Sequence, residues 1–96
     1  MHKWIVEDWQ FTIAVSSGKA ENCRLGFETG DRFTCEYAVP TGFCPKTTPV
    51  LHTLCEVIRC GGNFTHRGAD KPYEIDFPCA DGMITFHLTA KKVTPT

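Results

Sequence analysis

Six cysteines carry most of the chemistry this chain has to offer. Three of them stand in turn-like strings: Cys23-Arg24-Leu25-Gly26, Gly42-Phe43-Cys44-Pro45 and Pro78-Cys79-Ala80-Asp81-Gly82. Functional groups concentrate on loops, and a nearby glycine lets another group approach the backbone closely. Three converging thiolates at Cys23, Cys44 and Cys79 could hold zinc with a fourth ligand, or an iron–sulfur cluster with one iron left open. Against such a centre, the chain has no Cys-x-x-Cys pair, the spacing most such sites supply. A reactive thiol without metal and simple structural packing are the other two readings of the same three residues.

Cys35 and Cys55 fall instead on the apolar faces of a strand and a helix, where a cysteine acts as a small core hydrophobe. Cys60 lies about 140° around the helix from Cys55, so the two cannot share a metal while the helix is intact. Among the histidines, His66 sits in a loop between Gly62 and Gly68, His52 at the helix border, and His87 on the polar face of the last strand. A single surface histidine is ordinarily just solvated. Asp31 and Asp81 each adjoin a glycine, where a carboxylate usually bonds its own turn backbone. With Cys23, Cys44 or Cys79 as nucleophile, Asp31, His66 or Asp81 would be the candidates for acid–base help. No nucleophile elbow, phosphate loop, dinucleotide fingerprint or His-Glu-x-x-His string is present.

The elements that must position these groups are legible from periodicity. Trp9, Phe11, Ile13 and Val15 alternate with smaller or polar residues, the period of a half-buried strand, and Ser16-Ser17-Gly18 ends it. Phe33, Cys35 and Tyr37 alternate with Arg32, Thr34 and Glu36 in a second strand. Pro40, Gly42, Pro45 and Pro49 punctuate the loop that carries Cys44. A helix is predicted from Thr48 to Cys60, with Thr48 as N-cap, Pro49 in the first turn and Gly61-Gly62 as the stop. Leu51, Leu54, Cys55 and Ile58 form its apolar stripe, while His52 and Arg59 face outward or lie along the border. Tyr73, Ile75 and Phe77, then Ile84, Phe86 and Leu88, read as a hairpin reversed at Asp81-Gly82, with Pro78 ending the pairing. The fold class expected is α+β, a small antiparallel sheet covered on one face by a single main helix.

Composition bounds the rest. Ninety-six residues make one domain, with residues 1–8 as an N-terminal extension and 94–96 as a flexible tail. Ten basic residues against eleven acidic ones leave a formal charge of −1. With Lys91-Lys92 as the only adjacent basic pair, no concentrated positive face is written for nucleic acid. No apolar run approaches the roughly 20 residues of a membrane helix, and the start lacks a signal peptide's apolar stretch. A cytoplasmic address is the expectation. Cysteine at about 6% of the chain is below the density of short secreted disulfide scaffolds, and cytosolic thiols are kept reduced. So short a chain with two Trp, two Tyr and seven Phe is expected to self-associate, with Trp4 and Trp9 as interface anchors.

Taken together, the ordered strings Cys-x-x-Gly, Gly-Asp, Pro-x-Gly-x-Cys, Gly-Gly and Cys-x-Asp-Gly resemble those of a family of small uncharacterised bacterial and archaeal proteins. The likeness runs from about Trp9 to Val93. It rests on Cys23, Gly26, Gly30, Asp31, Pro40, Gly42, Cys44, Gly61, Gly62, Cys79, Asp81 and Gly82. This chain departs from the family pattern at Pro45-Lys46-Thr47-Thr48, where Trp or Ala is common, and at Ala80, where Pro is common. The resemblance implies no activity; it singles out the same three cysteines that loop placement selects. The functional expectation is a small protein binding zinc or an iron–sulfur cluster through Cys23, Cys44 and Cys79, as an accessory subunit of a larger enzyme. A thiol-dependent enzyme and a self-associating structural module are the alternatives.

Overall fold

Among the described residues, four antiparallel strands pair in the order β2-β1-β4-β3, with the longest two at the centre. They are β1 (Trp9–Gly18), β2 (Arg32–Cys35), β3 (Glu74–Pro78) and β4 (Ile84–Lys92), and one helix, α1 (Thr48–Arg59), connects the two halves. The computed structural model describes residues 9–36 and 40–93. The expected N-terminal extension with Trp4, Tyr37 at the end of the second strand, and the tail 94–96 lie outside the described residues. The architecture is α+β, as the periodicity implied.

Alternation decides which face is buried. Phe11, Ile13 and Val15 of β1 stand opposite Ala90, Leu88 and Phe86 of β4, and all six are buried. Phe77 of β3 extends the layer beyond Phe86. Leu51, Leu54, Cys55 and Ile58 of α1 close over this face. Loop residues Phe27, Phe43 and Phe64 complete the core. Phe43 and Phe77 each lie against Phe86, with ring centroids 5.2 and 5.3 Å away. The opposite face keeps Thr12, Thr34, Thr85, His87 and Asp76 at least partly open to solvent.

The helix begins one residue differently from expectation. Thr48 is its first residue rather than its cap; Thr47 holds the cap position and makes no side-chain capping bond. The reason lies in the preceding turn. The Cys44 carbonyl accepts the N–H groups of Thr47 (3.2 Å) and Thr48 (3.1 Å), so the usual orphan donors already have a partner. The Thr48 hydroxyl donates to that same carbonyl at 2.9 Å. At the other end Gly61 N–H donates to Ile58 and Gly62 N–H to Val57, the paired bonds of a glycine-terminated helix. Cys60 is thereby outside the helix, exposed at its cap. Arg59 does not face outward: its side chain is 12% exposed and its guanidinium lies 5.0 Å from the Phe11 ring centroid.

Candidate thiol site

Each of the three loop cysteines opens a turn in which its own carbonyl accepts the N–H three residues on. Gly26 donates to Cys23 at 3.0 Å, Thr47 to Cys44 at 3.2 Å, and Gly82 to Cys79 at 2.9 Å. Gly26 and Gly82 have φ of +70° and +74°, a conformation that side chains rarely adopt. The three turns come from distant parts of the chain: the segment after β1, the approach to α1, and the β3–β4 hairpin. They meet around one pocket of about 170 Å³, and Cys23, Cys44 and Cys79 all line it. Phe27, Ile84 and Phe86 supply apolar lining, and Leu25 and Met83, each about half exposed, stand at its edge.

Cys79 is the most elaborated of the three. Its N–H donates to the Ile84 carbonyl at 2.9 Å, which fixes the turn. Its Sγ accepts the N–H groups of Met83 at 3.2 Å and Ile84 at 3.5 Å. Burial by itself pushes the Cys79 thiol up. The backbone N–H groups of Ile84, Met83, Asp81 and Gly82 together outweigh that and hold it below the ordinary thiol value. Amide dipoles aimed at a sulfur favour its charged form, and the thiolate is the nucleophile and the metal ligand.

Charged groups gather at the same mouth. Lys46 hydrogen-bonds to Asp81, and Arg24 Nε stands 3.4 Å from the other oxygen of that carboxylate. The Lys46 ammonium first, and Arg24 with it, hold the Asp81 carboxyl below the usual carboxylate range. Asp81 therefore pairs with side chains from two other turns, rather than with its own turn backbone as expected. Thr47 is fully buried, and its hydroxyl accepts the Ala80 N–H at 3.0 Å, joining the helix start to the Cys79 turn. Among the described residues, no group of three or more His, Cys, Asp or Glu side chains is arranged to hold a metal ion.

The other candidates stand apart. Asp31 accepts the Glu28 N–H at 2.8 Å and does not line the pocket, the turn role expected of it. His66 is exposed in a short 3₁₀ turn, Thr65–Arg67, and does not line the pocket. Cys35, half-buried at the end of β2, and Cys55, buried in the stripe of α1, do not line the pocket.

Sequence reasoning passed over Arg24, Lys46 and Thr47, whose roles depend on turns meeting in space. It also undervalued His87. That ring lies between two carboxylates on the open face of the sheet, with Nδ1 2.6 Å from Asp76 and Nε2 3.0 Å from Glu74. A signal was present: counting outward evenly from Asp81-Gly82 sets Asp76 opposite His87, which is the register observed. No helix among the described residues is long and apolar enough to cross a membrane. No protein-family model, no curated protein and no solved structure matches the chain.

Proposed function

We propose that this chain is a small thiol-dependent protein in which Cys79 is the working thiolate, with Cys23 and Cys44 as neighbouring thiols. One observation carries the reading: the Cys79 sulfur accepts two backbone N–H groups while lining a largely apolar pocket. At about 170 Å³ the pocket is below the roughly 300–1,000 Å³ that encloses drug-sized ligands. Its occupant is therefore a small electrophile or the tip of a larger molecule. Arg24 and Lys46 offer a positive rim, partly neutralised by Asp81. A cytoplasmic setting suits this chemistry, because thiols are kept reduced there.

The test is alkylation by iodoacetamide across pH, followed at each cysteine by peptide mapping. Cys79 is expected to react with an apparent pKa below the ordinary value of about 8.5. A midpoint at or above that value would remove the reading.

The second reading is a zinc or iron–sulfur site on the same three cysteines, serving a larger enzyme. It is favoured by their sharing one pocket and one turn geometry, and by the N–H groups on Cys79, which suit a metal-bound thiolate equally well. Binding would require the three turns to draw together around the ion. Anaerobic purification with elemental analysis tests it: stoichiometric zinc or iron, lost in Cys79→Ser, supports it. Self-association through the Trp9 end of the sheet accompanies either reading, and sedimentation showing a monomer would exclude it.

A further inference from the structure

We propose, resting on the reading of Cys79 as the working thiolate, that its pocket selects small electrophiles bearing a carboxylate, which Arg24 and Lys46 draw to the mouth. The three cysteine turns themselves supply the charges. Arg24 directly follows Cys23, Lys46 stands two residues after Cys44, and Asp81 two residues after Cys79. Among the described residues that line the pocket, these three are the charged ones. Two cations against one carboxylate leave a net positive charge at the opening of a space whose walls include Phe27, Ile84 and Phe86. An apolar body with an anionic group at one end is the shape of ligand that this division of polarity receives.

Asp81 displays how a carboxylate is received here. Lys46 hydrogen-bonds to one of its oxygens, and Arg24 Nε stands 3.4 Å from the other. An ammonium has three donor hydrogens and a guanidinium five, so one carboxylate takes only part of the capacity of the pair. The Arg24 side chain is 79% exposed and that of Lys46 54%, which leaves both room to turn toward a second anion. A carboxylate matches the single net charge. A phosphate monoester, at about −1.5 to −2 near neutral pH, exceeds it.

The rim also answers a problem of charge. A thiolate repels an anionic reagent, so carboxylate-bearing electrophiles are at a disadvantage with an isolated thiol, and a positive mouth offsets that repulsion. A neutral electrophile gains nothing from the same charge. In the step itself the Cys79 thiolate supplies the electron pair of a new carbon–sulfur bond, and the leaving group departs with the pair of the bond that breaks. With iodoacetate the carbon–iodine bond breaks, iodide leaves, and an S-carboxymethyl thioether remains. No oxidant, reductant or proton is needed.

The experiment alkylates the full chain at low salt with iodoacetate and, separately, with iodoacetamide, following Cys79 by peptide mapping. The ratio of the two rates is compared with that for 2-mercaptoethanol, an uncharged thiol. Both reagents meet the same thiolate, so the ratio is independent of the Cys79 pKa. It is expected to exceed the reference roughly threefold or more, the scale of one net charge near the surface, and to fall toward it in about 0.5 M salt. Arg24→Gln and Lys46→Gln should each lower the ratio, and Asp81→Asn should raise it. A wild-type ratio equal to the reference, or one that these variants leave unmoved, overturns the proposal. Titration with butyrate and with butyramide, read from amide NMR shifts in the Cys79 turn, needs no reactive thiol. Saturable shifts with butyrate alone are expected; equal shifts, or none, overturn the proposal. An alkylation midpoint at or above about pH 8.5 removes instead the reading of Cys79 as a thiolate, and the titration still decides whether the mouth takes a carboxylate.

Discussion

The buried hydroxyl of Thr47 accepts the N–H of Ala80 at 3.0 Å, so the start of α1 and the Cys79 turn behave as one unit. Thr47 is a positioning residue. It holds the residue that follows Cys79, in the turn that arranges the N–H groups on that sulfur. Replacing it by valine keeps the shape and strands the Ala80 N–H. The expected cost is about 1–3 kcal/mol by chemical denaturation, with slower alkylation of Cys79 at neutral pH. Thr47→Ser should restore most of the alkylation rate, an outcome that general loss of stability would not produce.

Gly82 carries a φ of +74° in the turn that aims the Met83 and Ile84 N–H groups at Cys79. Its missing Cβ would meet nothing within 4 Å, so strain in Gly82→Ala is conformational rather than steric. A loss of about 1–2 kcal/mol is expected. The midpoint of Cys79 alkylation should move to higher pH, because a distorted turn weakens the N–H bonds that favour the thiolate. An unchanged midpoint would separate the turn from the reactivity of Cys79.

Leu54 is 2% exposed at the centre of the helix stripe. Truncation to alanine should cost about 2–5 kcal/mol, from lost apolar burial and the cavity left behind. Urea denaturation measures it. A value below about 1 kcal/mol would mean that the helix contributes little to the core.

His87 makes stability depend on pH. Its hydrogen bond to Asp76 first, and then that to Glu74, raise its pKa, although partial burial opposes them. A raised folded-state value means that the native state holds the proton more tightly than the unfolded chain. This contribution is complete below about pH 6.5, the unfolded value, and is lost as pH rises through the higher folded value. Glu74, lowered chiefly by its bond to His87, has the opposite sign: its contribution disappears as pH falls through its depressed value. Stability measured from pH 5 to 9 should therefore decline above about pH 6.5 in the wild type and flatten in His87→Gln. Both side chains are about a third exposed, so solvent screening keeps the effect small.

How much of this was legible beforehand follows from the range of the interactions. The three Phe, Ile and Val positions of β1, the α1 stripe and the Asp81-Gly82 reversal are written in periods of two or 3.6 residues, because a side chain's face is set by its own backbone. The same local rule separated Cys23, Cys44 and Cys79, each at the head of a turn, from Cys35 and Cys55 within elements. What local rules do not carry is partnership. That Lys46 finds Asp81 and Thr47 finds Ala80 depends on where the strand pairing and the helix crossing bring segments 33 to 35 residues apart. Thr47 makes the distinction plain. As a residue before a helix it is an ordinary cap candidate, yet the Cys44 carbonyl serves the first N–H groups and leaves the Thr47 hydroxyl for the hairpin. Its chemistry was in the sequence; its partner came from the packing of α1 against the end of the sheet.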